Sequence, residues 1–379
     1  MTPKEESSWT EELQNLTYET PFQVTKLSKV RDNVQEFKTH LPNVELFYAV
    51  KSFSDPEVIR AIDDLVDGYD IASLGEYNML KKEGVVPSRI LFSNPVKVPE
   101  HIEKTFRDGL DHYAFDGLSE IKKLAQIAPG SNVYLRIKVS DYGSAFPLSK
   151  KFGADPLHAV TFMDMARDMG LNPCGLAFHV GSQSLNMQAW HAAFEIAGDT
   201  IRRLKAIGID ITMLDIGGGF PKTYVGPAPS MKEVAKTISA CIKEFVPEGV
   251  RVVAEPGRFI SADTSVIASS VIGRELRGGE EWLFLDMGVF QGLMECLEMK
   301  DWRYPVFTDG HSSTESPLYS RPFTLTGPTC DAYDTIGFDY MLPPAIDVGD
   351  RVYFGVAGAY TTVYESNFNG FEPPKKYFI

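Results

Sequence analysis

The sequence predicts an α/β fold in which a (β/α)₈ barrel of the TIM type is followed by a C-terminal β-rich domain. From Val44 to Glu255, short β-branched and aromatic runs alternate with helix-length amphipathic segments over about 210 residues, which is typical of an eight-stranded parallel barrel. No Gly-x-Gly-x-x-Gly turn follows an early strand, so a doubly wound open sheet is disfavoured. After Arg258 helical periodicity becomes scarce, which indicates a change of domain.

The predicted barrel strands are short apolar runs, as expected for strands that are covered on both faces. The first of them, Val44–Val50, is followed directly by Lys51. The full set is Val44–Val50, Tyr69–Ala72, Ile90–Ser93, His112–Phe115, Val133–Ile137, Gly175–Val180, Met213–Ile216 and Val252–Glu255.

Helix start signals and amphipathic periodicity lie between these strands. Asp55 can cap a helix, and Pro56 suits its first turn. A helical pattern also runs from Leu27 to about Leu41, ahead of the first barrel strand. The other predicted helices are Pro99–Asp108, Leu118–Ile127, Leu157–Met169, Met187–Ile207 and Met231–Phe245.

The C-terminal part contains short strand-like runs separated by Gly, Pro and Asp, which predicts a β sandwich or small barrel. The predicted domains are a barrel over residues 27–261 and a β domain over 262–379, joined by residues 1–26, in which Pro21–Lys26 is a strand. The predicted C-terminal runs are Thr264–Glu275, Glu281–Asp286, Phe323–Thr326 and Arg351–Gly355.

The composition excludes several classes of function. With 44% hydrophobic and 23% charged residues among 379, the chain is an ordinary globular protein. A net charge of −14 and a pI near 5.0 argue against nucleic acid or an anionic membrane as a partner and are compatible with a cationic small molecule. The cysteines have neither metal-type nor paired spacing, and no stretch is apolar enough to span a membrane, which predicts a cytoplasmic protein without a metal.

Lys51 is the residue around which the predicted function is organised. An ammonium at the end of a buried strand is partly desolvated, which lowers its pKa and makes the neutral amine available as a nucleophile. Lys51 is therefore a candidate for Schiff-base chemistry. The alternative is that Lys51 only ends the strand and reaches solvent.

Other predicted strands also end in residues suited to chemistry, and in a parallel barrel these ends meet at one rim. Each has a simpler interpretation: His179 as hydrogen-bonded packing, Gly217–Gly219 as a tight turn, and Arg258 as a structural partner of Glu255. Together the strands deliver to that rim Lys51, Asp70, Glu76, Arg136, His179, Gly217, Gly218, Gly219, Glu255, Gly257 and Arg258.

This combination suits pyridoxal 5′-phosphate. Lys51 would attach the cofactor, and His179 would stack on its pyridine ring. The backbone N–H groups of Gly217–Gly219, together with Arg258, would hold its phosphate. Glu255 would lie against the ring nitrogen and keep it protonated, so that the ring acts as an electron sink.

Seven motifs in order resemble the ornithine decarboxylase family, the pyridoxal-phosphate decarboxylases with an alanine-racemase-like barrel and a β domain. The resemblance runs from about Pro21 to the C-terminus. It is carried by Tyr48-Ala-Val-Lys51, Asp70-Ile-Ala-Ser73, Phe178-His-Val-Gly-Ser182, Asp215-Ile-Gly-Gly-Gly-Phe-Pro221, Glu255-Pro-Gly-Arg258, Gly327-Pro-Thr-Cys-Asp331 and Phe368-Asn-Gly-Phe371.

The resemblance implies a homodimer whose two sites lie at the subunit interface and are completed by Cys330 and Asp331 of the other subunit. Cys330 would return a proton to the α-carbon, and Asp331 would bind the distal amine of the substrate. Ser182 and Tyr360 would join the phosphate cradle, while Asp70, Glu76 and Arg136 would line or brace the cofactor pocket. Taken alone, Cys330 would be interpreted as a small buried hydrophobic residue.

The chain departs from the eukaryotic pattern in the segment Gly292–Met299. A Tyr-Asp pair is usual there, but the aligned positions hold Glu298 and Met299, and Glu295 matches a glutamate of bacterial ornithine or lysine decarboxylases. Both Glu295 and Glu298 therefore remain candidates for a second contact with the distal amine.

The predicted reaction is decarboxylation of L-ornithine to putrescine, and also of L-lysine to cadaverine. The alternatives are a decarboxylase of another diamino acid (D-ornithine, D-lysine or a diaminopimelate-like compound), a non-catalytic regulator of the antizyme-inhibitor kind, and an amino-acid racemase. Diaminopimelate is disfavoured because its distal carboxylate would be repelled by Asp331. A racemase would need a second base opposite Lys51.

Overall fold

Eight parallel strands close into a barrel in the computed structural model, which describes Trp9, Glu12, Leu13 and residues 16–299, 301–309 and 320–379. The described strands are β1 (Phe22–Thr25), β2 (Val44–Ala49), β3 (Gly68–Ile71), β4 (Ile90–Phe92), β5 (His112–Phe115), β6 (Asn132–Arg136), β7 (Ser144–Phe146), β8 (Asn172–Ala177), β9 (Ser182–Ser184), β10 (Met213–Asp215), β11 (Arg251–Ala254), β12 (Ser265–Arg277), β13 (Glu280–Leu285), β14 (Val306–Thr308), β15 (Arg321–Thr326), β16 (Thr335–Leu342), β17 (Arg351–Phe354) and β18 (Lys375–Phe378).

The described helices mostly follow barrel strands, and side-chain caps define several of their starts. Asp55 accepts a hydrogen bond from Glu57 N–H, and Ser230 and Glu233 form a capping box. The helices are α1 (Leu27–His40), α2 (Pro56–Ile62), α3 (Leu74–Lys82), α4 (Pro99–Arg107), α5 (Leu118–Ile127), α6 (Ala159–Asp168), α7 (Met187–Ala206), α8 (Met231–Phe245), α9 (Arg258–Ser261) and α10 (Glu295–Glu298).

The closed barrel has the strand order β10, β11, β2, β3, β4, β5, β6 and β8. Neighbouring strands are parallel throughout, as in the pairs Phe47↔Gly68 and Leu214↔Val252. The predicted fold class, including every predicted barrel strand, is confirmed. A cluster of buried barrel-strand side chains forms part of its core: Phe47, Leu91, Ala114, Tyr134, Ala177, Met213 and Val253.

Some predicted boundaries were wrong by one to three residues, and two of the differences have local reasons. Strand β2 ends at Ala49 because Val50–Ser52 form a 3₁₀ turn. Helix α6 begins at Ala159 rather than Leu157 because Pro156–His158 form a second 3₁₀ turn. Helix α3 was not predicted, and neither was the antiparallel pair of β7 and β9, in which Phe146 lies opposite Ser182.

The chain divides into two compact units. The barrel unit comprises Arg31–Pro221 and Pro229–Ile260, and the sheet unit comprises the described residues of Met1–Val30, Lys222–Ala228 and Ser261–Ile379. No helix in the described ranges is long and apolar enough to cross a lipid bilayer.

In the sheet unit the strand order is β14, β17, β12, β13, β15 and β16, and β1 pairs with β12 and β18. The predicted N-terminal strand is thus part of this sheet, with Phe22 opposite Ala268. Its apolar side chains are buried in a cluster made of Trp9, Leu13, Phe22, Val24, Val266, Ala268, Phe307 and Tyr353. This burial explains why so short a segment pairs with strands more than 200 residues away in the sequence.

Candidate active site

Lys51 lies two residues after the end of β2, in the 3₁₀ turn Val50–Ser52 at the carboxyl end of that strand. Its ammonium forms an ion pair with the carboxylate of Asp70, a β3 residue that lies opposite Ala49 of β2. The Lys51 side chain is 42% exposed, whereas Asp70 is 1% exposed. The amine is therefore partly exposed and is accompanied by a buried carboxylate.

Glu76 lies in the first turn of α3, close to this ion pair. Its carboxylate accepts a hydrogen bond of 2.5 Å from the Ala72 N–H. Burial raises the pKa of Glu76, the Ala72 hydrogen bond opposes that rise, and the negative charge of Asp70 adds to it. Glu76 therefore contributes a second acidic group beside Lys51.

His179 follows β8 and is largely buried. Its Nδ1 accepts a hydrogen bond of 3.0 Å from the Gly181 N–H, so the neutral ring carries its proton on Nε2. Burial, together with the positive charges of Arg136 and Lys51, lowers the pKa of His179 well below its usual value. The ring is thus an uncharged surface suited to stacking.

The glycine loop, Gly217–Gly219, follows β10 and has a geometry that larger residues cannot adopt. Gly217 and Gly219 have φ of 66° and 103°, and a Cβ on Gly218 would lie 2.9 Å from the Glu255 carbonyl oxygen and 3.0 Å from His179 Nε2. Among the described residues, the N–H groups of Gly218 and Gly219 have no protein acceptor. Free amides without side chains form a cradle for an anion such as a phosphate.

Arg258 and Ser182 extend this cradle on the barrel rim. Arg258 is 4% exposed, and its Nε donates to Ser182 Oγ at 3.1 Å. The guanidinium also lies 4.8 Å from the ring of Phe146, which the β7–β9 pair holds opposite Ser182. Gly257 is tightly packed, since a Cβ there would lie 2.8 Å from Ser52 Cβ.

Glu255 follows β11 and shares a buried polar pocket with Asp215, the last residue of β10. The two carboxyl groups line the same pocket and interact with each other, and burial raises the pKa of both. Glu255 also accepts a short hydrogen bond from the Ser93 hydroxyl, which lies 2.8 Å from Tyr134 Oη. The lining of this pocket includes Ser93, Tyr134, Arg136, His179, Asp215 and Glu255.

Arg136 ends β6 within this acidic surrounding. Burial lowers its pKa, while the charges of Glu255, Asp116, Asp215 and Asp70 oppose that change. Its guanidinium lies 4.9 Å from the centre of the Phe152 ring. The positive charge of Arg136 thus offsets part of the negative charge of these acidic side chains.

The remaining predicted residues belong to the sheet unit. Cys330 is exposed, so its interpretation as a small buried hydrophobic residue is wrong; its N–H and thiol donate to Asn369 Oδ1 at 3.3 and 3.4 Å. Asp331 accepts from Tyr333 N–H at 2.8 Å. Tyr360 has a φ of 53°, and its ring stacks on that of Tyr364.

The two candidate glutamates of the sheet unit differ in environment. Glu295 is 2% exposed and accepts a hydrogen bond of 3.4 Å from the Tyr304 hydroxyl. Glu298, at the other end of α10, is exposed. Both therefore remain predictions as substrate contacts.

Sequence reasoning missed three residues at the centre of the site. Asp215 appeared only as part of a motif, while Ser93 and Tyr134 had no predicted role. Their hydrogen bonds join residues far apart in the sequence, such as Ser93 and Glu255, and a local sequence pattern does not predict such a contact. Only the polarity of Asp215 at the end of an apolar strand could have indicated it.

Comparison with known proteins identifies the family. Residues 27–262 match the family model for the pyridoxal-binding domain of pyridoxal-dependent decarboxylases. The chain belongs to this family. The predicted family, enzyme class and cofactor are confirmed: the protein is a pyridoxal-dependent decarboxylase of the ornithine decarboxylase type, and its cofactor is pyridoxal 5′-phosphate.

Relatives of this decarboxylase include enzymes for several basic amino acids. A lysine/ornithine decarboxylase of Selenomonas ruminantium is 35% identical over 93% of this chain and 88% of the relative. The crystal structure of an SrLDC variant in complex with PLP has a TM-score of 0.89 at 33% identity, covering 100% of this chain and 95% of that one. The arginine decarboxylase of Paramecium bursaria Chlorella virus, bound to agmatine, has a TM-score of 0.90 at 30% identity, covering 98% and 100%.

The barrel residues of this decarboxylase fit its cofactor. Free amides at Gly218 and Gly219, with the Arg258–Ser182 pair, suit a phosphate group. The pocket that contains Glu255 offers an acid for a ring nitrogen, and Lys51 offers an amine for the aldehyde. Decarboxylation of a basic amino acid is therefore the reaction that this family membership supports.

Proposed function

We propose that this decarboxylase converts L-ornithine to putrescine and also accepts L-lysine, which it converts to cadaverine. The observation that carries the choice of substrate is the pair Cys330 and Asp331 in the sheet unit. An exposed thiol stands next to a partly exposed carboxylate, which suits a substrate with a protonated amine at its far end. The lysine/ornithine decarboxylase named above has the same two substrates in its name.

The barrel residues bind and orient in this proposal. Lys51 carries the cofactor, Asp70 pairs with the Lys51 ammonium before the cofactor is attached, and His179 offers an uncharged ring face. The phosphate is held by the amides of the glycine loop with Ser182, Gly257, Arg258 and Tyr360. When bound, pyridoxal phosphate supplies an electron sink for the pair left by departing carbon dioxide.

Glu255 is the proposed partner of the cofactor ring nitrogen. A carboxylate at that position keeps the nitrogen protonated and so strengthens electron withdrawal. The Arg136 guanidinium offsets part of the negative charge of Glu255 and its acidic neighbours. Glu76 supports the part of the pocket near Lys51. Each of these roles depends on a residue that lies on the barrel rim.

The sheet-unit residues act on the substrate in this proposal. The Cys330 thiol donates a proton to the α-carbon after carbon dioxide leaves, and Asp331 holds the distal ammonium. Glu298 is exposed and Glu295 is buried against Tyr304, so Glu298 is the more accessible second carboxylate. We further propose a homodimer in which Cys330 and Asp331 of each chain complete the site of the other.

A panel of amino acids tests the substrate assignment. Carbon dioxide release is measured with L- and D-ornithine, L- and D-lysine, L-arginine and diaminopimelate. L-Ornithine should give the highest kcat/KM, and L-lysine, one methylene longer, should follow within about 10- to 200-fold. Faster release from L-arginine, a D-isomer or diaminopimelate would overturn the proposal.

A further inference from the structure

Asp215 touches both halves of the proposed cofactor site. Its Oδ1 accepts a hydrogen bond of 2.8 Å from the Gly217 N–H, the first amide of the glycine loop. Its carboxyl group also lines the same buried pocket as the side chain of Glu255 and interacts with it. One buried residue thus joins the loop proposed for the phosphate to the acid proposed for the ring nitrogen.

The backbone reinforces this connection. The Glu255 N–H donates to the Gly217 carbonyl oxygen at 2.8 Å, so the segments after β10 and β11 are tied together by main chain as well as side chain. On its other side, Glu255 accepts from the Ser93 hydroxyl, which in turn lies 2.8 Å from Tyr134 Oη. The Glu255 carboxylate is consequently held from two directions.

Two carboxyl groups buried in one pocket favour a state in which one of them keeps a proton and can donate it in a hydrogen bond to the other. Asp215 is 1% exposed and Glu255 is 8% exposed, and two buried carboxylates in contact do not both ionise. Burial and the neighbouring Glu255 raise the pKa of Asp215 well above its usual value. The pair is therefore expected to keep one proton and one negative charge, and the stronger rise of the Asp215 pKa favours the proton on Asp215.

We propose that Asp215 is a positioning residue that holds the Glu255 carboxylate and the glycine loop in one fixed arrangement for the cofactor. This inference rests on the roles proposed above for Glu255 and the loop. It assigns to Asp215 no contact with cofactor or substrate. Its action is through the Glu255 side chain and the Gly217 amide.

Asn and Ala substitutions separate this role from a general contribution to folding. Asp215→Asn keeps an acceptor for the Gly217 N–H and a donor for Glu255, whereas Asp215→Ala removes both. Asp67→Ala is the matched control, because Asp67 also accepts a barrel backbone N–H, that of Leu46, at 2.8 Å. Asp67 contacts residues at the amino end of β2, away from the rim.

The measurements are the dissociation constant of pyridoxal phosphate, titrated into cofactor-free protein, and the visible absorption band of the bound form. Asp215→Ala should weaken binding about tenfold or more, because Glu255 and the Gly217 amide lose buried partners, and should shift the band. Asp215→Asn should restore both to near wild type, and Asp67→Ala should change neither. If Asp215→Ala does not fold, Asp215→Ser, too short to reach Glu255, is measured in its place with the same expectation.

Three results would overturn the inference: wild-type affinity and absorption in Asp215→Ala, an Asn variant as weak as the Ala variant, or an equal loss in Asp67→Ala. Failure of the proposed substrate gives a different pattern. The wild-type protein would then bind pyridoxal phosphate but release carbon dioxide fastest from another amino acid. In that case Asp215→Asn would still bind pyridoxal phosphate more tightly than Asp215→Ala.

Discussion

Burial determines the protonation of the side chains around Lys51. It raises the pKa of Glu76, Asp215 and Glu255 and lowers that of His179. Each change favours the uncharged form, since a low-dielectric surrounding disfavours charge. Burial therefore prevents full ionisation of these acids, and the Asp215–Glu255 pair carries one negative charge instead of two.

The depressed pKa of His179 predicts how stability depends on pH. Its folded pKa lies well below 6.5, so its contribution is fully present above pH about 6.5 and is lost as the pH falls toward the folded value. Below pH 6.5 the cofactor-free wild type should lose up to about 1.4 kcal/mol of unfolding free energy per pH unit more than His179→Gln. Urea unfolding between pH 5 and 8 measures this; parallel curves for the two proteins would contradict it.

Cys330→Ala tests the proposed proton donor. Without the thiol, amine formation should fall about 100-fold or more, and turnover should divert to decarboxylative transamination, which yields an aldehyde. Chromatography of the products gives the ratio of amine to aldehyde. Cys241→Ala is the control, because burial raises the pKa of that helical thiol to about 11 and it has no proposed role. A wild-type product ratio in Cys330→Ala would count against the assignment.

The sequence could predict which strand-end residues belong to the candidate site, but it could not predict what their side chains contact. Lys51, His179 and Glu255 were found because each follows an apolar run. The ion pair of Lys51 with Asp70, in contrast, was not predicted. The sequence alone does not reveal which carboxylate faces which cation across neighbouring strands.

At the scale of elements, the glycine loop depends on conformations and spaces that only glycine accepts. Gly218 has no unusual φ, so its requirement is steric: a Cβ would be 2.9 Å from the Glu255 carbonyl oxygen. Any side chain here would push the loop away from His179 or Glu255. The position of Gly218 is thus restricted by its neighbours rather than by an unusual backbone conformation.

Gly218→Ala should weaken pyridoxal phosphate binding by about tenfold, as expected when a methyl group is forced into a packed site. Fluorescence titration of the cofactor-free protein measures the change. The matched control is Gly75→Ala in α3, where the new Cβ meets only Ser73 Oγ at 3.4 Å. That variant should bind normally and gain up to about 1 kcal/mol of stability. Equal affinity in Gly218→Ala and wild type would show that the loop does not hold the phosphate.

The barrel strands could be predicted to within about three residues because buried parallel strands are nearly continuous apolar runs. Helix α3 was missed because Gly75 and the polar Ser73 at its start are typical of a turn, although Ser73 in fact caps the helix. The β7–β9 pair was missed because its two strands are short and nearly 40 residues apart. Pairing at that distance is determined by tertiary structure, not by a local pattern.

At the scale of the whole molecule, the proposed dimer makes a prediction about mixed variants. Lys51→Ala removes the cofactor lysine, and Cys330→Ala removes the proton donor. If each site takes its lysine from one chain and its thiol from the other, mixed dimers hold one intact site. Equimolar mixing with subunit exchange should then restore about a quarter of wild-type activity.

Each variant mixed with itself is the control and should stay inactive. The Cys330→Ala and Asp331→Ala pair is a second control, because both changes affect the same half of the site and leave no intact site in any dimer. Activity from the first mixture that does not exceed the sum of its two components would contradict a shared site.

The most direct test of the account asks which lysine carries the cofactor. Borohydride fixes the link between a lysine amine and pyridoxal phosphate so that it survives digestion and can be mapped by mass spectrometry. Lys97 is the main competitor, because burial lowers its pKa to about 8 and it lies 3.0 Å from Glu120. The account predicts the label on the peptide that contains Lys51. A label on Lys97 or any other lysine would contradict it.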